Sequence, residues 1–249
     1  MKDRSSEQSI DALYAELLRG GENVATIREF LARHQPDDIV LLGLLRRAVP
    51  IRFLEHVATT PPWSDRPRNL AGVVLNPRTP PPLALRVVPG LFWRDLAEVA
   101  KSPRLPAALR NRAEAILVEK VPDLRVGERV TLGKMATLPV LRLLLPDPDR
   151  KVSEAVLINP RLREEDLLMV IRRNTVPVAL LEEAAASPRW SERYAVRREL
   201  VLQPRTPLAI ALGQISSLIE GDLRRIADTE ELPPLVRLAA LRVAREGAP

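Results

Sequence analysis

The amino-acid sequence predicts an all-α chain, a right-handed α-solenoid of helical repeats about 42 residues long, carrying a 127-residue internal duplication. Three observations predict it. Proline is abundant, at 24 of 249 residues, in a chain otherwise rich in helix formers. Two long segments align with each other without a gap. Apolar residues between the prolines fall at helical intervals, and the period-two alternation of half-buried strands is nowhere sustained.

Proline is excluded from helix interiors but is welcome in the first turn, so this many prolines imply many short, punctuated helices. Aromatic residues make up only 3%, and the core must therefore be built from Leu, Val, Ile and Ala, which suits thin layers of short helices. In Asn76-Pro77-Arg78-Thr79-Pro80 the first proline disfavours helix at Asn76 and ends one helix. Thr79 is expected to cap the next, with Pro80 at its first position. Gln203-Pro204-Arg205-Thr206-Pro207 repeats this stop and start. Asp95 and Glu98 have capping-box spacing. Leu109, Ala113, Ile116 and Leu117 follow an i, i+4, i+7, i+8 spacing, as do Val236, Ala240, Val243 and Ala244.

The duplication pairs Leu54–Leu117 with Leu181–Ala244, and 23 of the 64 positions are identical. Trp63 faces Trp190, and Pro77-Arg78-Thr79-Pro80 faces Pro204-Arg205-Thr206-Pro207. Inside each copy a shorter period marks Thr60-Pro61, Ser102-Pro103, Asp147-Pro148 and Ser187-Pro188, spaced 42, 45 and 40 residues apart. A helix with one apolar stripe cannot bury it alone, so stacked neighbours must supply the core. The expectation is one repeat domain over 1–249, with N-terminal capping helices at 1–53, a first block at 54–149, and a second block with its cap at 150–249.

The chain contains no cysteine, which excludes disulfides, thiolate metal sites and cysteine nucleophiles. No signal peptide or bilayer-spanning apolar run is read, and a cytoplasmic location is expected. The net charge is +6 with 33 Arg against five Lys. Arginine in excess fits recognition of phosphate or carboxylate, whose geometry its planar fork matches; it also fits the codon bias of a GC-rich genome.

Asp147-Pro-Asp-Arg-Lys-Val152, Asn159-Pro-Arg-Leu162 and the two Pro-Arg-Thr-Pro turns resemble the units of bacterial leucine-rich repeat variant proteins, which are similar to HEAT and armadillo arrays. The resemblance covers roughly residues 60 to 245 and implies short helices stacked into a superhelix. The family's cysteine-bound iron–sulfur cluster has no counterpart in a chain without cysteine.

Candidate partner-binding residues come from the repeated features. Arg78, Arg104, Arg161, Arg189 and Arg205 share Pro-Arg contexts. They would either form a cationic stripe or complement the negative ends of helices. Trp63 and Trp190 are either a binding platform or packing anchors, and Trp93, unmatched in the second copy, is local core or a further binding element. His34 and His56 are isolated, no catalytic or metal-binding constellation is found, and no cofactor is expected. The expected function is a non-catalytic scaffold that binds a protein or peptide. The alternative is binding of the nucleic-acid backbone through arginine, and an enzyme like the HEAT-like DNA glycosylases, using Trp93 and Asp95, is the remote third.

Overall fold

The computed structural model describes residues 2–246, so Met1 and positions 247–249 of the expected single domain lie outside it. Among the described residues every regular element is helical. The chain divides into two compact units, 1–120 and 121–249.

Unit 1 contains α1 (Lys2–Gly20), α2 (Val24–His34), α3 (Asp38–Leu45), α4 (Ile51–Thr59), α5 (Pro67–Leu75), α6 (Pro81–Val87), α7 (Trp93–Lys101) and α8 (Ala107–Lys120). Alternate helices touch: α1, α3, α5 and α7 pack in succession, α2 lies on α4, and α6 on α8. The core between them is mostly aliphatic, with Leu41, Leu44, Leu54, Val73 and Leu96 excluded from solvent together with Phe53.

Unit 2 contains α9 (Val126–Met135), α10 (Leu138–Leu144), α11 (Arg150–Leu157), α12 (Glu164–Ile171), α13 (Val178–Ala186), the single turn α14 (Pro188–Ser191), α15 (Tyr194–Leu202), α16 (Leu208–Ile215), α17 (Glu220–Asp228) and α18 (Pro234–Glu246). Here α9, α11, α13, α15 and α17 pack in succession, with α12 on α15 and α16 on α18. Val152, Val156, Leu180, Leu181, Trp190 and Leu200 form the buried centre. The spacing read on α8 and α18 is the buried stripe of both helices: Leu109, Ala113, Ile116 and Leu117 are buried, as are Val236, Ala240 and Ala244, with Val243 packed beside them.

Short helices expose many unpaired backbone groups at their ends, and these must find partners elsewhere. Buried polar residues before the prolines supply them. Asn159 is fully buried; its Oδ1 accepts the Arg161 N–H at 2.9 Å, closing its own turn. Its Nδ2 donates to the Gly133 and Ala136 carbonyls at 2.8 and 3.4 Å, at the end of α9. Asn76 accepts from Arg78 N–H at 2.9 Å and donates to the Leu45 and Arg47 carbonyls at 2.6 and 2.7 Å, at the end of α3 and just past it. Gln203 does the same with Arg205 N–H and the Ile171 and Arg173 carbonyls. Asp147 accepts the Asp149 N–H at 3.0 Å but has no donor of its own. Arg129 takes that part, donating from Nε to Asp147 Oδ2 and from Nη1 to the Leu124 carbonyl, each at 2.6 Å. Each of these side chains ties a turn to a helix end some 20 to 30 residues earlier in sequence.

Two sequence expectations for helix starts are corrected. Thr79 does not cap α6: its hydroxyl donates back to the Val73 carbonyl and its N–H to the Asn76 carbonyl, so it closes α5, and Pro80 is the N-cap. In the second copy Pro207 stands in the same position before α16. Asp95 is not an N-cap either, because α7 begins two residues earlier, after an extended Phe92.

Candidate functional site

The residues singled out by repetition divide sharply once placed. Trp190 has no exposed surface. Its Nε1 donates to the Leu157 carbonyl at 2.9 Å, and the Arg189 and Arg193 guanidinium groups lie 4.5 and 5.2 Å from its ring centre. It is a packing anchor and cannot serve as a contact platform. Arg189 donates to the Asn159 and Leu162 carbonyls at 2.7 and 2.8 Å, bracing the turn that follows α11. Burial, with the like charge of Arg193, holds its pKa below the usual arginine value. Arg205 reaches the Asn174 carbonyl at 3.2 Å.

Arg78 lies 3.3 Å from Glu22 Oε1. Glu22 is itself a borrowed helix cap. Pro50 precedes α4 and offers no side-chain acceptor, and the Glu22 carboxylate accepts the Ile51 and Arg52 N–H groups at 3.0 and 2.9 Å. Burial raises the Glu22 pKa; those two amides, with Arg78 and Arg52, outweigh it and leave the carboxylate below its ordinary range. Trp63 is half-buried, with the His56 ring 6.1 Å from its own. Trp93 is half-buried, with Arg94 5.3 Å from its ring centre. Arg161 is exposed.

Arg104 is different. It lines a cleft of about 870 Å³ in unit 1, formed by the end of α3, the face of α5, the turn before α6 and the start of α8. Leu42, Leu45, Ala71, Leu75, Leu105 and Leu109 form its apolar walls. Arg46, Arg68 and Arg104 stand around it, all solvent-exposed and none in an ion pair within 4 Å among the described residues. The one carboxylate in the cleft is Asp95. Burial raises its pKa against the opposing pull of Arg68 and Arg94.

Gly72 makes this space. A Cβ at that position would come within 2.9 Å of Leu45 Cδ1 and 3.2 Å of Leu42 Cδ2. In unit 2 the aligned residue is Glu199 on α15, and its carboxylate accepts from Arg172 at 2.9 Å and from Arg198 at 3.1 Å. Arg172 follows α12 as Arg46 follows α3. The counterparts of Arg68 and Arg104 are Ala195 and Glu231. Unit 2 keeps a more open depression of about 500 Å³ beside Leu168, Met169, Arg172 and Arg173, with Arg172 already paired.

Among known proteins, 157 residues are 31% identical to part of a protein named proline–tRNA ligase from Frankia casuarinae (strain DSM 45818 / CECT 9043 / HFP020203 / CcI3). The match takes in 57% of this chain and 31% of that protein, so the chain spans about a third of its relative's length. No family model matches the chain. No solved structure matches it.

The cleft offers apolar surface beside three cationic forks and a single carboxylate, Asp95. Among the described residues no three His, Asp or Glu side chains converge on a point where a metal ion would sit. His34 shares the Glu16 carboxylate at 3.1 Å, and that bond holds the Glu16 pKa down. His56 is held below its usual pKa by burial and by Arg28. Neither lines the cleft. No helix among the described residues is long and apolar enough to cross a membrane.

Sequence reasoning found Arg104 but missed Arg46, Arg68 and Gly72. The signal lay in the differences between the two copies: Ala71-Gly72 faces Arg198-Glu199.

Proposed function

We propose that this protein is a non-catalytic interaction module of the leucine-rich repeat variant or HEAT-like kind, and that it binds a segment of a partner protein in the unit 1 cleft. The observation that carries this reading is an apolar cleft edged by three exposed arginines, none in an ion pair within 4 Å among the described residues. Peptide-binding grooves join apolar anchoring with a few charged groups that fix register, whereas a backbone binder for nucleic acid presents a continuous cationic track. Elsewhere arginine alternates with acids, as in Arg33 with Glu16 and Glu29, Arg52 with Glu55, and Arg193 with Glu164. The internal duplication is supported by helix bounds that recur at its spacing: α5 with α15, and α7 with α17, match residue for residue.

The test is selection of a random peptide library on the immobilised protein, with an Arg46→Ser/Arg68→Ser/Arg104→Ser variant as control. Enrichment of a peptide family that the variant fails to retain is the expected result. In parallel, labelled duplex DNA and transfer RNA are titrated across a salt series, the latter because the similar protein is named for it. No enrichment, together with micromolar nucleic-acid binding that weakens steeply with salt, would overturn the reading.

A further inference from the structure

The two units treat one location in opposite ways, and the difference identifies the chemistry missing beside Arg46. In unit 2 the helix face beside Arg172 carries Glu199, a residue only 8% exposed whose carboxylate is held by two arginines. Burial alone would raise its pKa; the hydrogen bonds and charges of Arg172 and Arg198 outweigh this and hold it ionised below the ordinary range. Unit 1 has an arginine at the corresponding helix end, Arg46 after α3, and replaces the glutamate with Gly72. The carboxylate at that position is gone and leaves Asp95 as the one acid against three arginines; the space is open, and two further arginines, Arg68 and Arg104, line it. A guanidinium fork matches a carboxylate or a phosphate, and Leu42, Leu45 and Leu109 ask for aliphatic side chains next to it, which a peptide carries and a nucleic-acid backbone does not.

We infer that the unit 1 cleft recognises an acidic, leucine-rich peptide segment, seating one of its carboxylates against Arg46 where unit 2 supplies Glu199 from its own chain. This rests on the reading of the cleft as a peptide site and narrows it to one partner chemistry. Gly72 is then the residue that decides whether the site is open, and a glutamate there would fill it from within.

The probe is a fluorescein-labelled peptide of Leu, Ala and Glu, compared by anisotropy with versions in which every Glu is Gln or Lys. The Glu peptide is expected to bind the full chain at least about tenfold tighter than the Gln peptide, the Lys peptide weakest of all. Arg46→Ser/Arg68→Ser/Arg104→Ser should abolish the preference for Glu. Arg46→Glu/Arg104→Glu should transfer it to the Lys peptide; both variants alter exposed side chains, and unchanged thermal unfolding verifies the fold. Gly72→Glu should weaken the Glu peptide more than Gly72→Gln, which fills the same volume without the charge. If the Gln or Lys peptide binds as tightly as the Glu peptide and the arginine variants lose it, the acidic partner is wrong while the peptide site stands. If no peptide binds and duplex DNA or transfer RNA does so through the same arginines, both readings fall.

Discussion

Asn159→Ala removes the amide that joins the Asn159–Leu162 turn to the end of α9, and its cost follows from three bonds. Asn159 is fully buried, so none of the groups it leaves behind regains water without local opening. The Gly133 carbonyl loses a 2.8 Å bond and the Arg161 N–H a 2.9 Å bond; the 3.4 Å bond to Ala136 is marginal. An ordinary hydrogen bond is worth about 1 kcal/mol net, and a buried group left unpaired costs about 1–3 kcal/mol. The expected loss is therefore about 2–4 kcal/mol, read in urea as a lower midpoint at unchanged slope. Asn159→Asp sharpens the test. It keeps the acceptor for Arg161 but points a carboxylate at two carbonyl oxygens. Asp147 survives in the corresponding role because Arg129 stands between its carboxylate and the Leu124 carbonyl, whereas Asn159 Nδ2 donates to the Gly133 carbonyl directly. Asn159→Asp is expected to cost more than Asn159→Ala. A loss below about 0.5 kcal/mol for alanine, or a milder effect for aspartate, would refute the clamp.

The remaining structural expectations are as direct. Glu22→Ala uncaps α4 and should lower stability by about 0.5–2 kcal/mol in chemical denaturation. Arg78→Ser, which removes only an exposed ion pair, should lower it by under about 1 kcal/mol. Trp190→Ala should cost about 3–5 kcal/mol by the same method, since it empties a fully buried site and frees the Leu157 carbonyl. The depressed pKa of Glu199 makes its contribution complete above the ordinary carboxylate range. That contribution is lost as pH falls through the lowered folded value, so Glu199→Gln should flatten the acid limb of a stability–pH curve measured below about pH 4.5.

Much of the fold is legible in the sequence because proline leaves so few choices. Pro67, Pro81, Pro188 and Pro234 each stand in the first turn of a helix, and the apolar spacing of α8 and α18 gives their buried stripes. The exact helix starts are not legible. Thr79 has the chemistry of a cap, but whether its hydroxyl turns forward or back depends on the carbonyls that the end of α5 leaves open. Trp190 and the turn arginines illustrate a second limit. Repetition marks what the architecture needs, and in Trp190, Arg189 and Arg205 it marked groups that bond the carbonyls of helix ends and of the turns after them. The cleft is the reverse case. It arises where the copies diverge, and it needs residues from α3, α5 and the start of α8 that only tertiary packing brings together.

The most direct test of the cleft as the binding surface is amide hydrogen exchange of the full chain with and without a saturating Leu/Ala/Glu peptide. Protection is predicted at Leu42–Arg46, Arg68–Leu75 and Arg104–Leu109, with no change at Leu168–Arg173 or across α15, where Glu199 already occupies Arg172. Protection at the unit 2 segments, or none in the three cleft segments at saturation, would contradict the account.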